Sequence, residues 1–176
     1  MKRIIELVDQ NLQWVQPRVL KMQYELRAND ERVAILRFRS SLGSFATGES
    51  ADGCWTFKRV GFCQTRVTVR VCGGESDIAS FMNNTWSGGG TLELSDRRVL
   101  PATTNFWQTK LEFQDESGNS LIQFKLGGLL HQSATVEIQP RGVGKPELPL
   151  LMMLGWYLIV MMSSDVAMLG TVAATT

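Results

Sequence analysis

Three cysteines and a single histidine are the side chains with the most distinctive chemistry in this chain of 176 residues. Zinc would need Cys54, Cys63, Cys72 and His131 to converge at about 2.3 Å from one point. A hairpin centred on Cys63 sets Cys54 opposite Cys72 and carries the third thiol away, so no metal site is expected. A cross-strand disulfide between Cys54 and Cys72 ranks above the metal, although the low cysteine count points to a reducing compartment that opposes it. A serine triad would have to use His131 and finds no GxSxG elbow to support it. Asp115-Glu116 reads as turn chemistry, and Gly142-Val143-Gly144-Lys145 lacks the strand, spacing and hydroxyl of a phosphate loop. The expectation is therefore no catalytic residue, no cofactor and no enzyme.

Basic residues carry the remaining chemistry. Lys58, Arg66 and Arg70 fall on one face of a predicted hairpin, and Arg37 and Arg39 share one face of an earlier strand. Side chains at such spacing can meet the oxygens of one phosphate-bearing head group. The adjacent Arg97-Arg98 reads as an ordinary exposed turn. Eighteen basic against seventeen acidic side chains give no broad excess, which argues against nucleic acid as a partner.

The elements that must hold these cations are strands. From Val19 to Ile138 apolar residues alternate and turn residues recur, the pattern of an antiparallel meander. In the hairpin Trp55–Val60 with Arg66–Val71, Trp55 should face Val71, Phe57 should face Val69 and Arg59 should face Val67. Thr56 and Lys58 then look outward beside Thr68 and Arg70; a slip of one residue would bury Lys58 and Arg70. A second hairpin spans Phe106 to Lys125, pairing Phe113 with Ile122 and Leu111 with Phe124 around the turn 115–119. Further strands are expected at Val19–Leu26, Arg32–Arg39, Ile78–Met82, Thr91–Leu94 and Ser133–Ile138. Phe106-Trp107 and Trp156-Tyr157 are assigned to the core.

The segment Leu148–Met162, LPLLMMLGWYLIVMM, has no polar face. A helix apolar all round must be enclosed by protein or lipid. Fifteen such residues span roughly 22 Å, short of the roughly 30 Å hydrocarbon core. A helix at about 147–164 is therefore expected as the axis of a closed barrel, with Leu150, Leu151, Leu154, Trp156 and Leu158 as core and Gly155 allowing close approach. The alternative is a membrane tail anchor flanked by Arg141 and Lys145 on the cytoplasmic side.

The stretches GCWTFKRVGF (53–62), TRVTVRV (65–71), FWQTKLEFQDESGNSLIQFK (106–125) and ELPLLMMLGWYLIVMMSSD (147–165) resemble the tubby C-terminal-like superfamily, which includes LURP-one-related proteins and phospholipid scramblases. The resemblance implies one domain over 1–176, mainly β, built as a closed antiparallel barrel of about 12 strands around a central hydrophobic C-terminal helix. It also implies phospholipid head groups as ligands for some members. Residues 1–14 hold no uninterrupted apolar run. The expectation is a cytoplasmic, non-enzymatic binding module, peripheral at a membrane and directed at anionic phospholipid. A protein-interaction or structural role is the alternative, and nothing specifies an oligomeric state.

Overall fold

The computed structural model describes residues 2–61, 65–84, 89–105, 107–127 and 132–173, with side chains in the last helix described to Asp165. Twelve strands close into one antiparallel barrel in sequence order, β1 meeting β12. They are β1 (Leu12–Val15), β2 (Gln23–Ala28), β3 (Glu31–Phe38), β4 (Ala46–Ser50), β5 (Gly53–Val60), β6 (Arg66–Val71), β7 (Ala79–Asn83), β8 (Gly90–Leu94), β9 (Val99–Thr104), β10 (Lys110–Gln114), β11 (Ser120–Gly127) and β12 (Ser133–Ile138). A 3-10 turn at Ile4–Glu6 precedes them, and α1 (Leu148–Ala173) follows. Closure removes the unpaired sheet edges that would otherwise recruit other strands.

Register sorts the side chains as alternation requires. Trp55 pairs with Val71, Phe57 with Val69 and Arg59 with Val67, while Phe113 meets Ile122 and Leu111 meets Phe124. The helix fills the barrel: every residue from Leu148 to Met161 is buried. Small residues on the inner faces of β3 and β4, Ala34, Ala46 and Gly48, leave room for it; a β-carbon at Gly48 would lie 3.2 Å from the Met153 sulfur. Trp14 stacks parallel to Trp156 at 5.6 Å, and Tyr157 lies between Phe38 at 5.5 Å and Phe57 at 5.3 Å. Ring pairs of this geometry add stabilisation beyond the area they bury.

Several boundaries differ from the sequence expectation. The strand expected from Val19 starts at Gln23, and Val19 and Leu20 stand exposed in the turn before it. The hairpin expected from Phe106 gains its strand only at Lys110, after a turn closed by Asn105, whose carboxamide oxygen accepts from the Thr109 and Lys110 amides. Trp107, expected in the core, is 77% exposed, while Phe106 and the turn around Cys63 lie outside the described residues. The helix continues to Ala173 rather than ending near 164, with no proline to stop it.

Gly155 sits where the Phe124 ring of β11 crosses the helix, and a β-carbon there would overlap that ring. A glycine inside a helix costs about 1 kcal/mol against alanine; here the close approach requires it. Gly155→Val should therefore lower unfolding stability by about 3 kcal/mol through overpacking. Adding Phe124→Leu should recover part of that loss in a urea melt, whereas the two changes would simply add if the ring and the helix did not meet.

Candidate functional site

The outer face of β5 and β6 gathers the cations that the sequence singled out. Pairing sets Thr56 opposite Arg70, Lys58 opposite Thr68 and Val60 opposite Arg66. Arg66, Thr68 and Arg70 alternate along β6, so two guanidinium groups flank one threonine while Lys58 faces it from the next strand. These residues line an open groove of about 480 Å³ that also takes in Phe45, Gly73, Gly74 and Asp77. Arg70 Nε donates to Asp77 at 2.6 Å. Lys58 and Arg66 have no ion-pair partner among the described residues, and both are exposed.

Arg37 and Arg39 are not part of this groove. Arg37 lies on the same cross-strand row as Thr47, Thr56 and Arg70, but β4 and β5 separate it from β6, and it pairs with Glu49 at 3.1 Å. Arg39 follows β3, where its amide donates to the Phe45 carbonyl. Sequence reasoning missed Phe45 and Asp77. Phe45 precedes a strand whose polar sequence gives little apolar alternation, and Asp77 lies in the connection between β6 and β7.

Two ion pairs hold the helix in the barrel. At its entry Arg98 donates to Glu147 at 2.7 Å and to Asp96 at 2.7 Å, and the Glu147 side chain is only 5% exposed. Arg98 is thus a helix anchor rather than an idle member of an exposed turn. The pairing with Glu147 and then with Asp96 raises the Arg98 pKa further above its ordinary value. At the far end Arg59 donates to Asp165 at 2.6 Å. Arg59 is the charged residue on the otherwise apolar inner face of β5, and its partner arrives from the helix. Beside this pair, the crevice between α1 and the strands holds only about 30 Å³, enough for a water or two.

Cys54 and Cys72 are joined as a disulfide, with their Cα atoms 5.4 Å apart. Among the described residues, no three of His, Cys, Asp and Glu are grouped to hold a metal ion; Cys63 and His131 lie outside those residues. The window Leu148–Asp165 is apolar and long enough to cross a membrane by composition, yet 78% of it is buried within the barrel.

Comparison of the chain with protein-family models, with curated proteins and with solved structures gives no match.

Burial pushes both core tyrosines, Tyr24 and Tyr157, from the ordinary 10.0 up to about 12. The Tyr157 hydroxyl also donates to the Ser44 carbonyl at 2.6 Å, tying the helix to the turn between β3 and β4. A phenol whose folded pKa is raised contributes stability below the unfolded pKa and loses it as pH rises through the folded value. Stability should be level up to about pH 10 and fall towards pH 12. In pH-dependent urea melts Tyr157→Phe should be less stable at neutral pH by about 1 kcal/mol and show a shallower alkaline decline. An unchanged alkaline slope would mean that this phenol ionises freely.

Proposed function

We propose that the protein is a non-enzymatic module that binds anionic phospholipid head groups at a membrane surface, using Lys58, Arg66 and Arg70. The observation that carries this reading is the groove itself: three cations and two threonines around one open depression, with a single carboxylate, Asp77, on the opposing side. Two of the cations have no competing ion pair among the described residues. Phosphate oxygens would supply the acceptors, and Thr56 lies beside the charged groups to add a neutral donor, whereas the buried Thr68 hydroxyl already donates to the Lys58 carbonyl at 3.3 Å. The resemblance of the hairpin and the last helix to tubby C-terminal-like proteins supports the same class of ligand.

A barrel filled by its own helix leaves the interior without substrate volume, which favours binding over turnover. Peripheral attachment to a membrane fits this reading, while the Cys54–Cys72 disulfide counts against the reducing compartment expected from the cysteine count.

Co-sedimentation with phosphatidylcholine vesicles, with and without phosphoinositide or phosphatidylserine, tests the proposal. The wild type should pellet with anionic vesicles at low salt and less at high salt, since each basic side chain near such a surface contributes roughly 1 kcal/mol that salt screens. The Lys58→Ala, Arg66→Ala, Arg70→Ala triple variant should weaken binding by about ten- to a hundredfold, the lower figure allowing for the Asp77 pair. Binding unchanged by the triple substitution would eliminate this groove as the head-group site.

A further inference from the structure

The barrel is chemically polarised from end to end. Antiparallel order puts every connection that follows an odd-numbered strand at one end and every connection that follows an even-numbered strand at the other. The connections of the first end lack acid: none of the segments 16–22, 39–45, 61–65, 84–89, 105–109 and 128–132 contains Asp or Glu, whereas Arg18, Lys21 and Arg39 all lie in them, and the carboxylate that the helix brings to this end, Asp165, is paired with Arg59 at 2.6 Å. The second end is where Asp30, Asp52, Asp77, Asp96, Asp115 and Glu116 lie.

Exposed apolar side chains follow the same division. Leu20 is 99% exposed, Leu42 85% and Trp107 77%, each at the tip of a different connection of the first end. Val19 and Phe45 accompany them, half-exposed, on two of those connections. The large apolar residues left exposed at the opposite end are valines. A leucine held fully in water gains nothing for the fold, and Leu20 and Leu42, with the exposed Trp107 ring, gather the most exposed large side chains at one end.

We propose that this end of the barrel docks on an anionic bilayer, with Leu20, Leu42 and Trp107 entering the interfacial region and Arg18, Lys21 and Arg39 at head-group level. This rests on the lipid reading above and adds the orientation. The tips sit on separate turns on both sides of the helix exit rather than forming one continuous patch, an arrangement suited to a fluid interface into which each can insert independently. Charge matches as well: the end whose connections carry bases and no acid, with Asp165 paired to Arg59, faces the anionic surface, and the end where acids outnumber the bases Arg97, Arg98, Arg141 and Lys145 faces away. The connection that carries Leu42 and Phe45 is tied to the helix, because the Tyr157 hydroxyl donates to the Ser44 carbonyl within it. The groove of Lys58 and Arg66 opens beside the same end, since Val60 and Arg66 form the last pair of the β5–β6 ladder there. A head group in the groove and side chains in the interface can therefore be engaged together.

Binding of the full chain to phosphatidylcholine–phosphatidylserine vesicles should weaken about tenfold for Leu20→Glu and again for Leu42→Glu. Val143→Glu, at the opposite end, should bind as wild type. Both tip variants alter exposed positions, so their melts should match the wild type. In vesicles carrying brominated acyl chains, tryptophan emission should be quenched, and Trp107→Phe should reduce that quenching, with the part that remains removed on adding Trp86→Phe, since the connection 84–89 belongs to the same end. If the tip variants bind normally while the Lys58, Arg66, Arg70 triple variant fails, end-on docking is overturned and the lipid groove stands. If the triple variant binds normally while the tip variants fail, docking stands and the groove is lost. If no vesicle is bound and the wild type self-associates through contacts that Leu42→Glu abolishes, the end is a protein interface and both readings fall.

Discussion

The structure depends on one constraint: a helix with no polar face has to be enclosed, and a sheet of twelve strands has to enclose something. Each requirement meets the other. Inner-face alternation along the strands supplies an apolar lining, and α1 supplies a core that is apolar in every direction. The fit is not uniform. Rings from β1, β3 and β5 stack on Trp156 and Tyr157 and the β2 ring meets Trp156 edge-on, while Gly48 of β4 gives way to Met153, and Gly155 gives way to Phe124. The indole N–H groups of Trp14 and Trp156 have no hydrogen-bond partner among the described residues, a cost of about 1–3 kcal/mol each that the stacked core must outweigh.

Packing and charges together fix how the helix lies in its sleeve. Ring stacking, the Gly155–Phe124 approach and the Tyr157–Ser44 hydrogen bond set the middle of the helix, and ion pairs hold its two ends. Arg98 pairs with Glu147 at one mouth and Arg59 with Asp165 at the other. Each pair joins a strand or its turn to an end of the buried segment, so each marks where the apolar run stops. The functional proposals use what this arrangement leaves outside: a cationic groove on the wall, and a rim whose connections carry apolar and basic residues but no acid.

Most of the fold is legible in the sequence because period-two alternation and an unbroken apolar run are strong signals. The registers of the β5–β6 and β10–β11 hairpins follow directly from placing Phe57 and Val69, or Leu111 and Phe124, on one face. β4 is illegible for a physical reason: its inward residues Ala46 and Gly48 are small because the helix passes close, so no apolar alternation marks it. The groove cations are legible by the same register, whereas the separation of Arg37 from them is not, because it depends on which strands intervene. Arg98 is misread because its partner Glu147 is far along the chain; Arg59 is placed correctly opposite Val67, but its pairing with Asp165 is illegible for the same reason, and Trp107 is misread since an exposed aromatic and a buried one look alike in sequence.

The enclosed helix is tested most directly by native-state hydrogen exchange across residues 151–161. If the helix is the core, its amides should exchange only through global unfolding, with the same free energy and urea dependence as the slowest amides of β5, β6 and β11. Helix amides that exchange at low free energy while those strands stay protected would show a barrel that stands without its helix, contradicting the account.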